Sequence, residues 1–135
     1  MSKLEKAMDC ATANGISVVE SCLFGRKSAS LKERRVIGID NNEFNCDIDK
    51  AIAINHEIGH HMTQAFYSLD APLVTRGKCE SRASEWAIKN MLPLKDIKCA
   101  VSDGCRSVGE LSERFELPHR FINEAIKYYT RKGKL

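Results

Sequence analysis

The stretch Asp47-Ile48-Asp49-Lys50-Ala51-Ile52-Ala53-Ile54-Asn55-His56-Glu57-Ile58-Gly59-His60-His61-Met62-Thr63-Gln64-Ala65-Phe66 decides how the rest of the chain reads. Ile52, Ile54, Ile58, Met62 and Phe66 put apolar side chains at mostly helical spacing, and no proline interrupts the chain between Asp47 and Ala71. A helix is therefore expected, capped by Asn45 or Asp47. On that helix His56 and His60, four residues apart, share a face, so their imidazoles can hold one metal ion between them. Glu57 sits beside them, where a carboxylate could take a proton from a water on that ion. The plain alternative is two surface histidines on an ordinary helix. The small Gly59 and the helical setting favour a site.

Working outward towards the N-terminus, Leu4, Ala7, Met8 and Ala11 fall at helical spacing, and Asn14-Gly15 supplies a stop. Ile16 to Phe24 reads as a strand, Gly25 to Ser28 as a turn, and Arg35 to Asp40 as a second strand. Asp40-Asn41-Asn42-Glu43 turns the chain before the histidine helix, so a small sheet precedes that helix and is expected to pack on it. Towards the C-terminus, Tyr67 to Lys78 reads as a loop near the site, of the kind that forms a substrate cleft. A helix follows from Lys78 to Met91, stopped by Leu92-Pro93. A short helix is expected over Leu94 to Val101, and a final pair over Ser107 to Phe115 and Pro118 to Tyr129.

With 135 residues and no repeat, low-complexity run or linker, the chain reads as a single domain over residues 1–135. Residues 1–45 give an N-terminal helix and small sheet, 46–93 the metal-site helices, and 94–135 the C-terminal helices. No apolar run approaches the roughly 20 residues that span a bilayer. Met1 to Lys6 leads into no apolar export-signal core, so a cytoplasmic protein without membrane contact is expected. The six cysteines are then reduced thiols, and without a C-x-x-C they suggest neither a thiolate zinc site nor a redox pair. A net charge of +3 is too small to argue by itself for nucleic acid.

H-E-x-x-H is the spacing of zinc hydrolases, but a catalytic zinc site needs a third protein ligand beside the two histidines. His61 follows His60 directly and points about 100° away around the helix. A histidine six residues after His60 would complete a metzincin pattern, but Phe66 stands there. A carboxylate from the following helix remains, and Glu80 and Glu85 are the candidates. They lie about 140° apart around that helix, so both are not expected to bind.

Glu80-Ser81-Arg82-Ala83-Ser84-Glu85-Trp86-Ala87, running on to Met91-Leu92-Pro93, resembles the second signature of the ImmA/IrrE metallopeptidases. Glu80, Ala83, Trp86, Ala87 and Pro93 fall at matching offsets, and His56-Glu57-Ile58-Gly59-His60 is similar to the family's His-Glu-Leu-Gly-His. Trp86 replaces the usual phenylalanine and Ser84 the frequent asparagine, and neither change removes a ligand. The resemblance covers roughly residues 15 to 130.

What the resemblance implies is an α+β fold, with a small N-terminal sheet packed on a zincin-like helical core and a C-terminal helix pair. It also implies one zinc ion per chain on His56, His60 and Glu80, in the manner of gluzincins, with Glu57 as the catalytic base of a metallo-endopeptidase. The small Ala83 and Ala87, on the face of Glu80, would let the two helices approach. The implied substrate is a protein, a helix-turn-helix transcriptional repressor of a prophage or mobile element. Tyr67, His61, Arg76 and His119 are polar candidates for stabilising the oxyanion, with nothing to choose among them. No further cofactor is expected. Manganese or iron also suits two histidines and a carboxylate.

Leu111 to Ile122 resembles a helix-turn-helix. Ser112 and Ile122 fit its small and apolar positions, but Glu116 stands where the turn usually has glycine. Packing against the catalytic helices, ordinary in the family, is the favoured reading of this pair, and contact with DNA the lesser one. Two further readings compete with the enzyme: a non-catalytic regulatory protein that binds a repressor or DNA, and a toxin-antitoxin component. An intact Glu57 argues against the first, since a structural metal site has no use for a general base.

Overall fold

A computed structural model describes all 135 residues, and it is α+β. Helix α1 (Lys3–Ala13) leads into β1 (Ser17–Glu20), β2 (Ser28–Leu31) and β3 (Val36–Ile39), and a 3-10 turn at Asn41–Glu43 precedes α2 (Asp47–Thr63). Then come α3 (Leu73–Met91), α4 (Leu94–Ser102), α5 (Val108–Phe115) and α6 (His119–Arg131). No helix is long and apolar enough to cross a membrane. The chain divides into two compact units, Met1–Ala87 and Ile88–Leu135.

In the first unit the sheet order is β1-β3-β2, with β1 parallel and β2 antiparallel to β3. Ile37 and Ile39 of β3, Ala7 and Ala11 of α1, and Ala51, Ile54 and Ile58 of α2 are fully or almost fully buried and form its core. Helix α2 packs on α1 and on β2 and β3, as the expected order of a small sheet followed by the histidine helix requires. Asp40, also buried, accepts hydrogen bonds from the backbone N–H groups of Leu23 and Asn42, which ties the β1–β2 connection to the 3-10 turn.

Several expected boundaries move. The strand expected over Ile16 to Phe24 stops at Glu20, because Leu23, Phe24 and Gly25 turn the chain, and Phe24 takes a positive φ. Ser28 belongs to a strand rather than a turn: Ser28-Ala29-Ser30-Leu31 pairs with β3 despite its weak intrinsic β preference, because tertiary pairing outweighs propensity there. Neither Asn45 nor Asp47 caps α2; Cys46 holds that position without a side-chain bond, and Asp47 and Asp49 lie in the first turn, where their charge suits the helix dipole. Met62 faces solvent, and α2 ends at Gln64 in the left-handed conformation, so Phe66 lies beyond it. The expected loop from Tyr67 to Lys78 ends early. Helix begins at Leu73, its first turn closed by Arg76 N–H on the Pro72 carbonyl, a start that Pro72's missing N–H does not impair.

The second unit has its own core of Leu92, Ile97, Ala100, Leu111, Leu117, Phe121, Ile122 and Ala125. Tyr128 and Tyr129 are buried too, and the Tyr129 hydroxyl donates to the Leu92 carbonyl at 2.8 Å.

Candidate metal centre

The site begins with the 3.6-residue turn of α2, which stacks His56 and His60 with ring centroids 4.9 Å apart. The third group arrives on α3 through a close approach of the two helices. A Cβ built on Gly59 would lie 2.5 Å from the Ala83 carbonyl oxygen and 3.0 Å from its Cα, so only a glycine allows α3 to sit there. Ala83, fully buried, is the matching small residue on α3. One turn before it, Glu80 comes down beside the histidines.

Ligand atoms of His56, His60 and Glu80 all lie within 4.8 Å of one another. His56 Nε2 is 2.6 Å from Glu80 Oε2, and His60 Nε2 is 3.3 Å from Glu80 Oε1. The second ring nitrogens are engaged elsewhere. His60 Nδ1–H donates to the Ala65 carbonyl at 2.6 Å, which leaves Nε2 as the ring nitrogen that faces Glu80. His56 Nδ1 is 3.1 Å from Ser84 Oγ. Burial pushes the Glu80 carboxyl up, but hydrogen bonds from Tyr67 and His56 and the nearby histidines outweigh it, and the net effect lowers its pKa.

These residues fit a metal ion. Bonds of about 2.0–2.2 Å at tetrahedral angles separate ligand atoms by roughly 3.3–3.6 Å. The His60–Glu80 distance already has that spacing, and the shorter His56–Glu80 contact is a hydrogen bond that an ion would replace. Outer hydrogen bonds that fix ring tautomers are characteristic of such sites. Glu85, the other candidate carboxylate, is outside the group.

Glu57 is buried and held from the sheet. Ser28 Oγ donates to its Oε2 at 2.7 Å, and Ser30 Oγ to its Oε1 at 2.6 Å. Residues two apart on a strand project to one side, so β2 presents both hydroxyls to one carboxylate. Neither serine stands out in the sequence, where the only signal is the Ser-x-Ser alternation in a segment without other strand character. Ser84, whose hydroxyl meets His56, was visible only as a departure from the family pattern.

Glu57, His60, Phe66, Tyr67 and Glu80 line one cleft of about 240 Å³, together with Arg26 and Leu69. Of the four polar candidates, Tyr67 is in this cleft, and its hydroxyl donates to Glu80 Oε1 at 2.8 Å. That hydrogen bond first, and burial second, raise the Tyr67 pKa above its ordinary value. Arg76 stacks near the Tyr67 ring and donates to the carbonyls of Ala71 and Leu69, bracing the loop before α3. His61 is buried with its edge against Phe66 and its Nε2 without a hydrogen-bond partner. His119 opens α6 in the second unit. Comparison with protein-family models, with curated proteins and with solved structures finds no match.

Proposed function

We propose that this chain is a zinc-dependent metallo-endopeptidase, akin to the ImmA/IrrE enzymes it resembles and acting on a protein in the cytoplasm. The observation that carries the reading is that His60 and Glu80, which form a three-ligand group with His56, share a cleft with a separate buried carboxylate, Glu57. A structural site closes on its fourth ligand and needs no base beside it. A zinc ion bound there would supply Lewis-acid chemistry, making water acidic near neutral pH and polarising the scissile carbonyl.

The chain's own residues divide the remaining work. Glu57 takes the proton of the attacking water and delivers it to the departing amine. Ser28 and Ser30 hold both carboxylate oxygens, so the base is oriented before substrate arrives. His60 is fixed as a ligand by the Ala65 carbonyl. Tyr67, kept protonated at neutral pH, is the O–H donor in the cleft for the developing oxyanion. The resemblance further suggests a transcriptional repressor of a mobile element as substrate.

The test is metal content by elemental analysis of wild type, Glu80→Ala and Glu57→Gln, followed by peptide hydrolysis. About one zinc per chain is expected in wild type and Glu57→Gln, with loss in Glu80→Ala and hydrolysis only in wild type. Metal-replete wild type that hydrolyses no protein or peptide, or a Glu57→Gln chain as active as wild type, would refute the enzyme and favour a regulatory binding protein.

A further inference from the structure

The metal centre leaves the C-terminal unit without a task. From its geometry and charge we propose that residues 88–135 form a helix-turn-helix module that binds double-stranded DNA, with α6 as the helix that enters the major groove.

The backbone carries the first part of the argument. Helix α5 is eight residues long, and three residues, Glu116 to Pro118, separate it from α6. Between them Glu116 has φ 54° and ψ 45°, the left-handed conformation that glycine supplies in such turns. Glutamate hides the motif in the sequence, yet the chain makes the same corner. Ser112 locks it: its carbonyl accepts from the Glu116 and Leu117 N–H groups, and its hydroxyl donates to the Leu117 carbonyl at 2.6 Å. Leu111, Leu117, Phe121, Ile122 and Ala125 are buried, so the inner faces of both helices are fixed against each other. Helix α4 packs on α5 and completes a three-helix unit with a core of its own.

The second part is what this packing leaves outside. His119, Arg120, Asn123, Lys127 and Arg131 are exposed and follow one stripe along α6. Thirteen residues make a helix of about 20 Å, long enough to lie in a groove about 12 Å wide. Arginine and asparagine are the side chains that read guanine and adenine edges with paired hydrogen bonds, and lysine and arginine contact phosphates. The charge is segregated as well. Residues 88–135 contain ten lysines and arginines against six acidic residues, while residues 1–87 contain eleven against twelve. From His119 to the end there are five basic residues and one acidic residue, Glu124. A net charge of +3 spread over the chain would mean little, but all of it lies with this helix and its tail.

The test uses the full chain and a pool of duplexes of about 25 base pairs with a randomised core, in rounds of selection, and then anisotropy titrations of the enriched duplex at several salt concentrations. Selection is expected to enrich a motif of about 3–5 base pairs. Arg120→Ala and Asn123→Ala should each relax preference at one position, losing about 5- to 100-fold discrimination there. Lys127→Ala should weaken all duplexes alike and reduce the salt slope by about 1. All three side chains are exposed on α6, so the variants are expected to remain folded, which circular dichroism and urea unfolding check. The proposal is overturned by no saturable duplex binding, by binding without enrichment of any motif, or by unchanged affinity in an Arg120→Ala/Asn123→Ala/Lys127→Ala chain that is folded. The outcome does not depend on zinc or peptidase activity, since α6 holds none of the metal ligands.

Discussion

Replacing Gly59 by alanine tests how the centre is assembled, because local and tertiary reasoning predict opposite signs. Considered as a helix interior, Gly→Ala should stabilise α2 by about 0.5–1 kcal/mol. In the folded protein the added methyl would lie 2.5 Å from the Ala83 carbonyl oxygen. Relief to an ordinary contact of about 3.4 Å requires α3 to retreat by nearly 1 Å, and overpacking of that kind costs about 1–3 kcal/mol. The obstacle is backbone, which cannot rotate away as a side-chain end could. The expected net result is a loss of about 0.5–2 kcal/mol in urea unfolding of metal-free protein. The same retreat moves Glu80, one turn from Ala83, away from the histidines, and a fall in zinc affinity of at least about 10-fold should follow. Gly77→Ala is the control: it lies in α3 with nothing within 4 Å of its added methyl, so it should be neutral or stabilising by up to about 1 kcal/mol. A Gly59→Ala chain as stable as wild type, with unchanged zinc affinity in a competition titration, would refute the close-approach argument.

Other expectations follow from the same geometry. Ser28→Ala and Ser30→Ala each remove a hydrogen bond to the buried Glu57 carboxylate, and each should cost about 1–2 kcal/mol and lower turnover with little change in KM; a double variant indistinguishable from wild type would remove the positioning role. Tyr67→Phe deletes a bond that helps keep Glu80 ionised, so it should weaken zinc binding most below neutral pH, and less than Glu80→Ala does. Burial lowers the His61 pKa below 6.5. The unfolded chain therefore binds this proton more readily, and its contribution to stability, full above pH 6.5, is lost as pH falls through the window below that value. Urea midpoints of wild type should drop more steeply on acidification than those of His61→Phe, and parallel profiles would contradict the assignment.

Local pattern determined a good part of this protein. The helical spacing around Ile54 and Ile58, the four-residue interval between His56 and His60, and the stop at Pro93 are all properties of short windows, where backbone geometry fixes which residues share a face. Helix order, the α+β class and the two histidines facing one another were therefore legible. What depended on pairing across long separations was not. Ser28 and Ser30 meet Glu57 only because an unpromising Ser-Ala-Ser-Leu segment joins β3 as an edge strand, and twenty-nine positions separate Ser28 from Glu57. Periodicity left Glu80 and Glu85 both open, and the bare Cα of Gly59 against Ala83 decides which carboxylate reaches the histidines. Glu116 hid a left-handed corner that residue preference assigns to glycine, because the packing of Leu111, Leu117 and Ile122 holds the backbone there whatever its side chain. The sequence determined elements and faces, since those follow from nearest neighbours along the chain. Which faces meet was decided by close packing in three dimensions.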